Sequence, residues 1–202
     1  MGEGPKADDS AGPIRAFLAL DLDATSLRRV ARVADRLRMA SGAPSATWVP
    51  SERMHVTLKF VEELPTGSIS PLVTALRETM EGRCAPKASP VRLDAFPKMD
   101  HAHVIVVELL DPNGDVSELA TRVDEAAHEC GLAREKRRFR PHVTLARLKR
   151  PYDTRRWLRP QLEISGECAV ASLTLFQSEL SSAGPTHTPL ARFAFVEAQS
   201  PA

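Results

Sequence analysis

The sequence predicts an α+β fold: a pseudo-twofold, two-lobed domain with two antiparallel sheets lining a central groove and helices packed outside. Three observations predict it. Short apolar runs rich in β-formers alternate with stretches whose apolar residues recur at helical spacing. The order strand, helix, strand occurs twice. The tetrapeptide His-Val-Thr-Leu stands at 55–58 and again at 142–145, with 38 residues from Phe17 to His55 and 37 from Ile105 to His142.

The elements follow in order. Residues 14–21 (IRAFLALD) form a compact apolar run and read as a strand. Leu27, Val30, Ala34 and Leu37 then mark a helix face, with Asp23 or Thr25 as its N-cap. Residues 47–49 are extended before Pro50, and 54–61 (MHVTLKFV) are a strand. Ser70-Pro71 opens a helix whose face is Ile69, Leu72, Leu76 and Met80, and 91–96 is a short strand. The pattern restarts with a strand over 103–109. A turn follows at 112–115, then a helix marked by Val116, Leu119, Val123, Ala127 and Cys130 that Gly131 stops. Residues 139–148 (FRPHVTLARL), 169–176 and 190–196 are expected strands. Residues 13–197 are read as a single domain, with tails over 1–12 and 198–202.

Composition narrows the class. A chain of 202 residues with 43% hydrophobic and 26% charged residues suits one globular core. No run of eighteen apolar residues occurs, so no membrane span is expected, and the polar N-terminus lacks the apolar core of a secretory signal. The three cysteines (Cys84, Cys130, Cys168) show no metal-ligand spacing, which fits a reduced, cytoplasmic setting. The net charge of +1 conceals a basic segment: residues 134–159 carry eleven Lys/Arg against two acids. Two readings of it stand, a local anion site and a solvated basic loop.

The chemistry lies in the repeated tetrapeptide. A strand puts alternate side chains on one face, so His55 and Thr57 point one way while Val56 and Leu58 point into the core. His142 and Thr144 repeat the arrangement. If a twofold relates the lobes, two imidazoles and two hydroxyls converge on a site the size of one phosphate. A neutral imidazole takes a proton from water, a protonated one donates to a leaving oxygen, and both forms exist near neutral pH. The hydroxyls donate to oxygens where charge develops. A lone His-x-Thr is usually a hydrogen-bonded core histidine. Packing explains a recurring Val and Leu, but gives no reason for His and Thr to recur at the same offset.

Other residues have weaker claims. Lys59 shares the alternation of His55 and Thr57, and Arg140 that of His142 and Thr144. Each either raises the potential for an anionic ligand or faces solvent. His101 and His103 have ligand-like spacing with no carboxylate or cysteine cluster, so no metal and no cofactor are expected. His128 and Asp124 suit a surface pair one turn apart. Trp48, Phe60, Phe96 and Phe176 are candidates for stacking on a base.

The stretches WVPSERMHVTLKFVEELP (48–65) and FRPHVTLARLKRP (139–151) resemble the bacterial RNA 2′,3′-cyclic phosphodiesterases. These are also called 2′-5′ RNA ligases and belong to the two-histidine phosphoesterase superfamily. RAFLALDL (15–22) and TLFQSELSSAGPTHTPLARF (174–193) are similar too, so the resemblance spans about residues 14–196. It implies His55 as proton donor, His142 as proton acceptor, Thr57 and Thr144 as phosphate binders, and Arg147 as a substrate contact. Arg147 lies on the opposite alternation from His142, so the pattern alone points it away. Where the family usually has tyrosine, this chain has His187, whose role stays open.

The expected function is metal-free hydrolysis of 2′,3′-cyclic phosphate ends to 2′-phosphomonoesters. The expected partners are RNA termini, tRNA fragments or small cyclic nucleotides, with no membrane and no obligate protein partner. A reversible 2′-5′ RNA ligase uses the same residues in reverse. A nucleotide-binding module without turnover is the non-enzymatic alternative. No Gly-rich phosphate loop or nucleotide-activating lysine motif supports an ATP-driven ligase.

Overall fold

The computed structural model describes residues 12–40, 43–155, 157–158, 166–181 and 184–196; the expected tails, apart from Gly12, lie outside them. The first half runs β1 (Ile14–Leu22), α1 (Ala24–Met39), β2 (Ala46–Trp48), a 3-10 turn at Ser51–Arg53, β3 (His55–Leu64), α2 (Ile69–Met80) and β4 (Ser89–Phe96). The second half runs β5 (Ala102–Leu110), α3 (Asp115–Glu129), β6 (His142–Tyr152), β7 (Val170–Ser181) and β8 (Gly184–Ala194).

Local chemistry sets the helix ends. Asp23 caps α1, its Oδ1 accepting the Ser26 amide at 2.7 Å. Asp111 caps α3 by accepting the amides of Val116 at 3.1 Å and Ser117 at 2.8 Å. Gly131, at φ +85°, ends the helix in a left-handed conformation that suits glycine. Several expected boundaries shift: β3, β6 and β7 run on to Leu64, Tyr152 and Ser181, and α2 starts at Ile69, with Ser68 rather than Ser70 at its N-cap. Strand β6 begins at His142 rather than Phe139, and β8 begins at Gly184 because its pairing with β7 runs down to the Ser181–Gly184 end.

The strands form one antiparallel sheet in the order β4-β5-β6-β3-β1-β7-β8, with β2 also on β6. The two expected sheets are its halves, β4-β5-β6-β2 and β3-β1-β7-β8. Their seam is a single register pair, Val56 opposite Val143. Farther along β6, residues 146–148 pair with β2, so β2 occupies the edge that β3 leaves free. The chain from Ala46 to Leu64 thus crosses from the edge of β6 to the edge of β1.

One apolar core lies behind both halves, with Leu20, Leu58, Val107, Val123 and Leu145 in a single cluster. Helix α1 packs against β6 and α3 against β3, so each helix braces the opposite half. Among the described residues no helix is long and apolar enough to cross a membrane.

Candidate active site

The two motifs sit at the seam. Because Val56 faces Val143 in an antiparallel pair, His55 comes opposite Thr144 and Thr57 opposite His142. A local twofold through the two valines exchanges the motifs. On both strands the His and Thr side chains are half-buried on the open face, while Val56, Leu58, Val143 and Leu145 are buried in the core.

Both strands then break alternation at the same place. Against β1, Leu18 pairs with Lys59 and Ala19 with Thr57, which leaves Leu58 as an extra residue. Against β5, Ile105 pairs with Ala146 and Val106 with Thr144, which leaves Leu145 extra. Each is a β-bulge, and each turns the next two residues through the sheet. Lys59 and Ala146 go to the core; Phe60 and Arg147 come to the open face, both exposed.

This overturns the reading of Lys59 as a substrate residue. Its side chain is 2% exposed, and Nζ donates to Asp124 Oδ1 at 2.5 Å and to the Ala133 carbonyl at 2.6 Å. Burial alone would raise the Asp124 carboxyl, but the hydrogen bonds from Lys59 and the Glu135 amide hold it below its ordinary value. Asp124 therefore does not pair with His128, whose Nδ1 meets the Leu132 carbonyl at 3.2 Å. The same device brings Arg147 back onto the face of His142 and Thr144, where its charge acts on both His142 and His187.

The two imidazoles are held alike. Nδ1 of His142 donates to the Arg140 carbonyl at 2.7 Å, and His55 hydrogen-bonds the backbone of Arg53, again two residues earlier. A carbonyl only accepts, so Nδ1 carries the proton in His142 and Nε2 is left for a ligand. Phe17 stacks on His55 with ring centroids 4.9 Å apart, and Phe176 stacks on Phe17 at 5.1 Å. Phe96 meets His142 edge-on at 4.8 Å and carries the Arg140 guanidinium over its ring at 4.7 Å.

Each histidine also has a carboxylate opposite it in register, Asp21 for His55 and Glu108 for His142. Their surroundings differ. Asp21 Oδ2 accepts from Ser172 Oγ at 2.8 Å and Thr174 Oγ1 at 2.6 Å. The exposed Arg192 approaches it no closer than 3.7 Å. Glu108 is paired with Arg92 at 2.7 Å and Arg140 at 2.9 Å, and Arg140 also reaches Asp94 at 2.7 Å. Arg140 thus lies beside the site with its charge matched by carboxylates.

Burial lowers both imidazole pKa values. For His55 it outweighs the Arg53 backbone and brings the value to about 4; nearby His187 lowers it further and Asp21 raises it. His142 is lowered by burial and by the charges of Arg140 and Arg147, against the Arg140 carbonyl. Both rings rest neutral at pH 7.

The chain is similar to known proteins over most of its length. The model of the 2′-5′ RNA ligase superfamily matches residues 26–181. This chain belongs to that superfamily. Among 2′-5′ RNA ligase superfamily proteins, it is 29% identical over 184 residues to the RNA 2′,3′-cyclic phosphodiesterase of Methanothermobacter thermautotrophicus, covering 89% of this chain and 98% of that one. The RNA 2′,3′-cyclic phosphodiesterase of Aeropyrum pernix is 30% identical over 171 residues, covering 80% and 92%. In fold the chain is similar to the crystal structure of TT0787 of Thermus thermophilus, with a TM-score of 0.74 at 22% identity over 90% of this chain and 98% of that one.

Beside His55 an open cleft is lined by Phe17, Asp21, Arg53, Phe176 and His187. Strand register brings Asp21, and ring packing brings Phe17; neither carries a local motif. Trp48, a candidate for base stacking, packs edge-on against Trp157 at 6.4 Å. His101 and His103 meet at 5.3 Å, and among the described residues no three His, Cys, Asp or Glu group closely enough for a metal ion.

Proposed function

We propose that the chain hydrolyses 2′,3′-cyclic phosphodiester ends of RNA or short oligonucleotides to 2′-phosphomonoesters, with His55 as acid and His142 as base. The observation that carries this is the pair of symmetry-related His-x-Thr strands meeting at Val56 and Val143, each imidazole oriented through a backbone carbonyl. Relatives of matching length are named RNA 2′,3′-cyclic phosphodiesterase.

In the proposed step, His142 Nε2 takes a proton from water as its oxygen bonds to phosphorus, and His55 gives its proton to the departing 3′ oxygen. One P–O bond forms and one breaks. Thr57, Thr144 and Arg147 hold the non-bridging oxygens, where negative charge is held and develops. Since both rings rest neutral, the acid gains its proton with the substrate, whose anionic phosphate favours an imidazolium. The unequal carboxylates support His55 as that ring, against a burial that lowers its pKa to about 4 in the absence of substrate. Asp21 is only loosely approached by a cation beside His55, whereas Glu108 is spent on two arginines beside His142, where the Arg140 and Arg147 charges oppose a second proton.

The test is turnover of a 2′,3′-cyclic-phosphate oligonucleotide, with the product resolved by phosphorus NMR. A 2′-phosphomonoester is expected. A 3′-phosphomonoester would reverse the two roles, and no opening at all would overturn the reading.

A further inference from the structure

We propose that His187 is a neutral hydrogen-bond donor to a phosphoryl oxygen of the ligand, a third imidazole of the site beside His55. The identity of the ligand rests on the hydrolase reading; the state of the ring does not.

His187 lies on β8 opposite Ser178, with its ring edge-on to Phe17 at 4.8 Å and to His55 at 6.1 Å and 80°. Two hydrogen bonds of about 2.8 Å each, to oxygens of one phosphoryl group, span such a gap between perpendicular rings. The spacing is braced by Arg53. Its backbone holds His55, while its guanidinium Nη1 donates to the Pro185 carbonyl at 2.6 Å, two residues from His187.

The ring itself is half-buried, and its Nδ1 is buried without a hydrogen-bond partner. An unpaired buried N–H is rarer and costlier than an unpaired buried lone pair. The single proton of the neutral ring therefore sits on Nε2, and Nδ1 faces its apolar surroundings as a bare lone pair. A second proton would have to sit on that unpartnered Nδ1, near the charges of Arg53 and Arg147. Burial, then the charge of Arg53 and that of Arg147, hold the ring below its ordinary pKa against the nearby Thr186 backbone, which lies outside hydrogen-bond geometry with Nδ1. Asp21 and Glu52, the carboxylates of the cleft, face it without a hydrogen bond, and Asp21 is taken up by Ser172 and Thr174. His187 thus offers an N–H that needs no protonation event, beside a His55 that must change state.

Nitrogen-15 NMR of the labelled full chain reads this directly. His187 is expected to show the Nε2–H neutral tautomer and to titrate below the ordinary histidine value, and its Nε2–H signal is expected to shift on adding inorganic phosphate. His187→Phe is expected to weaken phosphate binding about tenfold. His187→Gln, whose amide N–H stands near the place of Nε2, is expected to retain most of it. An Nδ1–H tautomer, a titration near the ordinary histidine value, or phosphate binding unchanged in His187→Phe would overturn the proposal. The expected NMR pattern and phosphate binding in a protein that opens no cyclic phosphate would overturn the hydrolase reading and leave this one standing.

Discussion

Nζ of Lys59 stands 2.5 Å from Oδ1 of Asp124, an ion pair that ties β3 to α3 across the two halves of the molecule. Lys59→Met leaves Asp124 with only a 3.8 Å approach from Arg134 and the Glu135 amide at 3.0 Å. Removing one partner of a buried pair strands the other, and the expected loss is about 2–4 kcal/mol in urea unfolding. KM for a cyclic nucleotide should stay near wild type. An unchanged unfolding midpoint with a raised KM would return Lys59 to the substrate.

His55→Ala and His142→Ala should each lose about a hundredfold to ten-thousandfold in kcat. Both variants should stay folded, because both side chains face the open side of the sheet rather than the core. The two act on one transition state, so the double variant should be barely slower than the slower single one. Substantial turnover in either single variant would sink the two-histidine mechanism.

Asp21→Asn should narrow the pH profile from one side. In the substrate complex the acid must be protonated, so its pKa there sets the alkaline limb of the kcat profile, and Asp21 raises the proton affinity of His55. Losing that charge moves the alkaline limb to lower pH and leaves the acid limb, set by His142, in place. A shift of the acid limb instead would exchange the two histidines.

Stability should fall as the pH drops from about 6.5 towards 4. The His55 pKa is about 4 in the folded chain, below its ordinary value, so the unfolded state binds more protons across that window. The full effect is on the order of 3 kcal/mol for this ring, and His142 and His187 act in the same direction. The melting temperature of His55→Asn should fall less steeply through this window than that of wild type; identical slopes would contradict the burial of His55.

Arg147→Ala should raise KM with a modest change in kcat, because an exposed guanidinium contributes to holding a ground-state anion. Steady-state kinetics at two salt concentrations check this. A collapse of kcat alone would give Arg147 a transition-state role.

The two His-x-Thr strands and the α+β class were legible in the sequence because both depend on local alternation. His55, Thr57, His142 and Thr144 all follow the period of two, and all face the same side of the sheet. What alternation hid was its own interruption. A bulge is a property of two strands in register, so nothing in MHVTLKFV marks Leu58 as the extra residue, and pattern alone puts Lys59 and Arg147 each on the wrong face. Asp21 and Phe17 escape notice for a related reason: a strand neighbour, not a sequence neighbour, brings them to His55.

The seam at Val56 and Val143 also bears on direction. A twofold has no front or back, yet a cyclic phosphate presents two different oxygens, and only one departs. The repeated motif is blind to that difference. Polarity is written where the copies disagree: a loosely paired carboxylate at Asp21 against a neutralised one at Glu108, and a ring at Phe60 where the other copy has the cation of Arg147. On the proposed mechanism, a doubled scaffold supplies two interchangeable proton carriers, and a handful of unmatched neighbours makes the arrangement one-way.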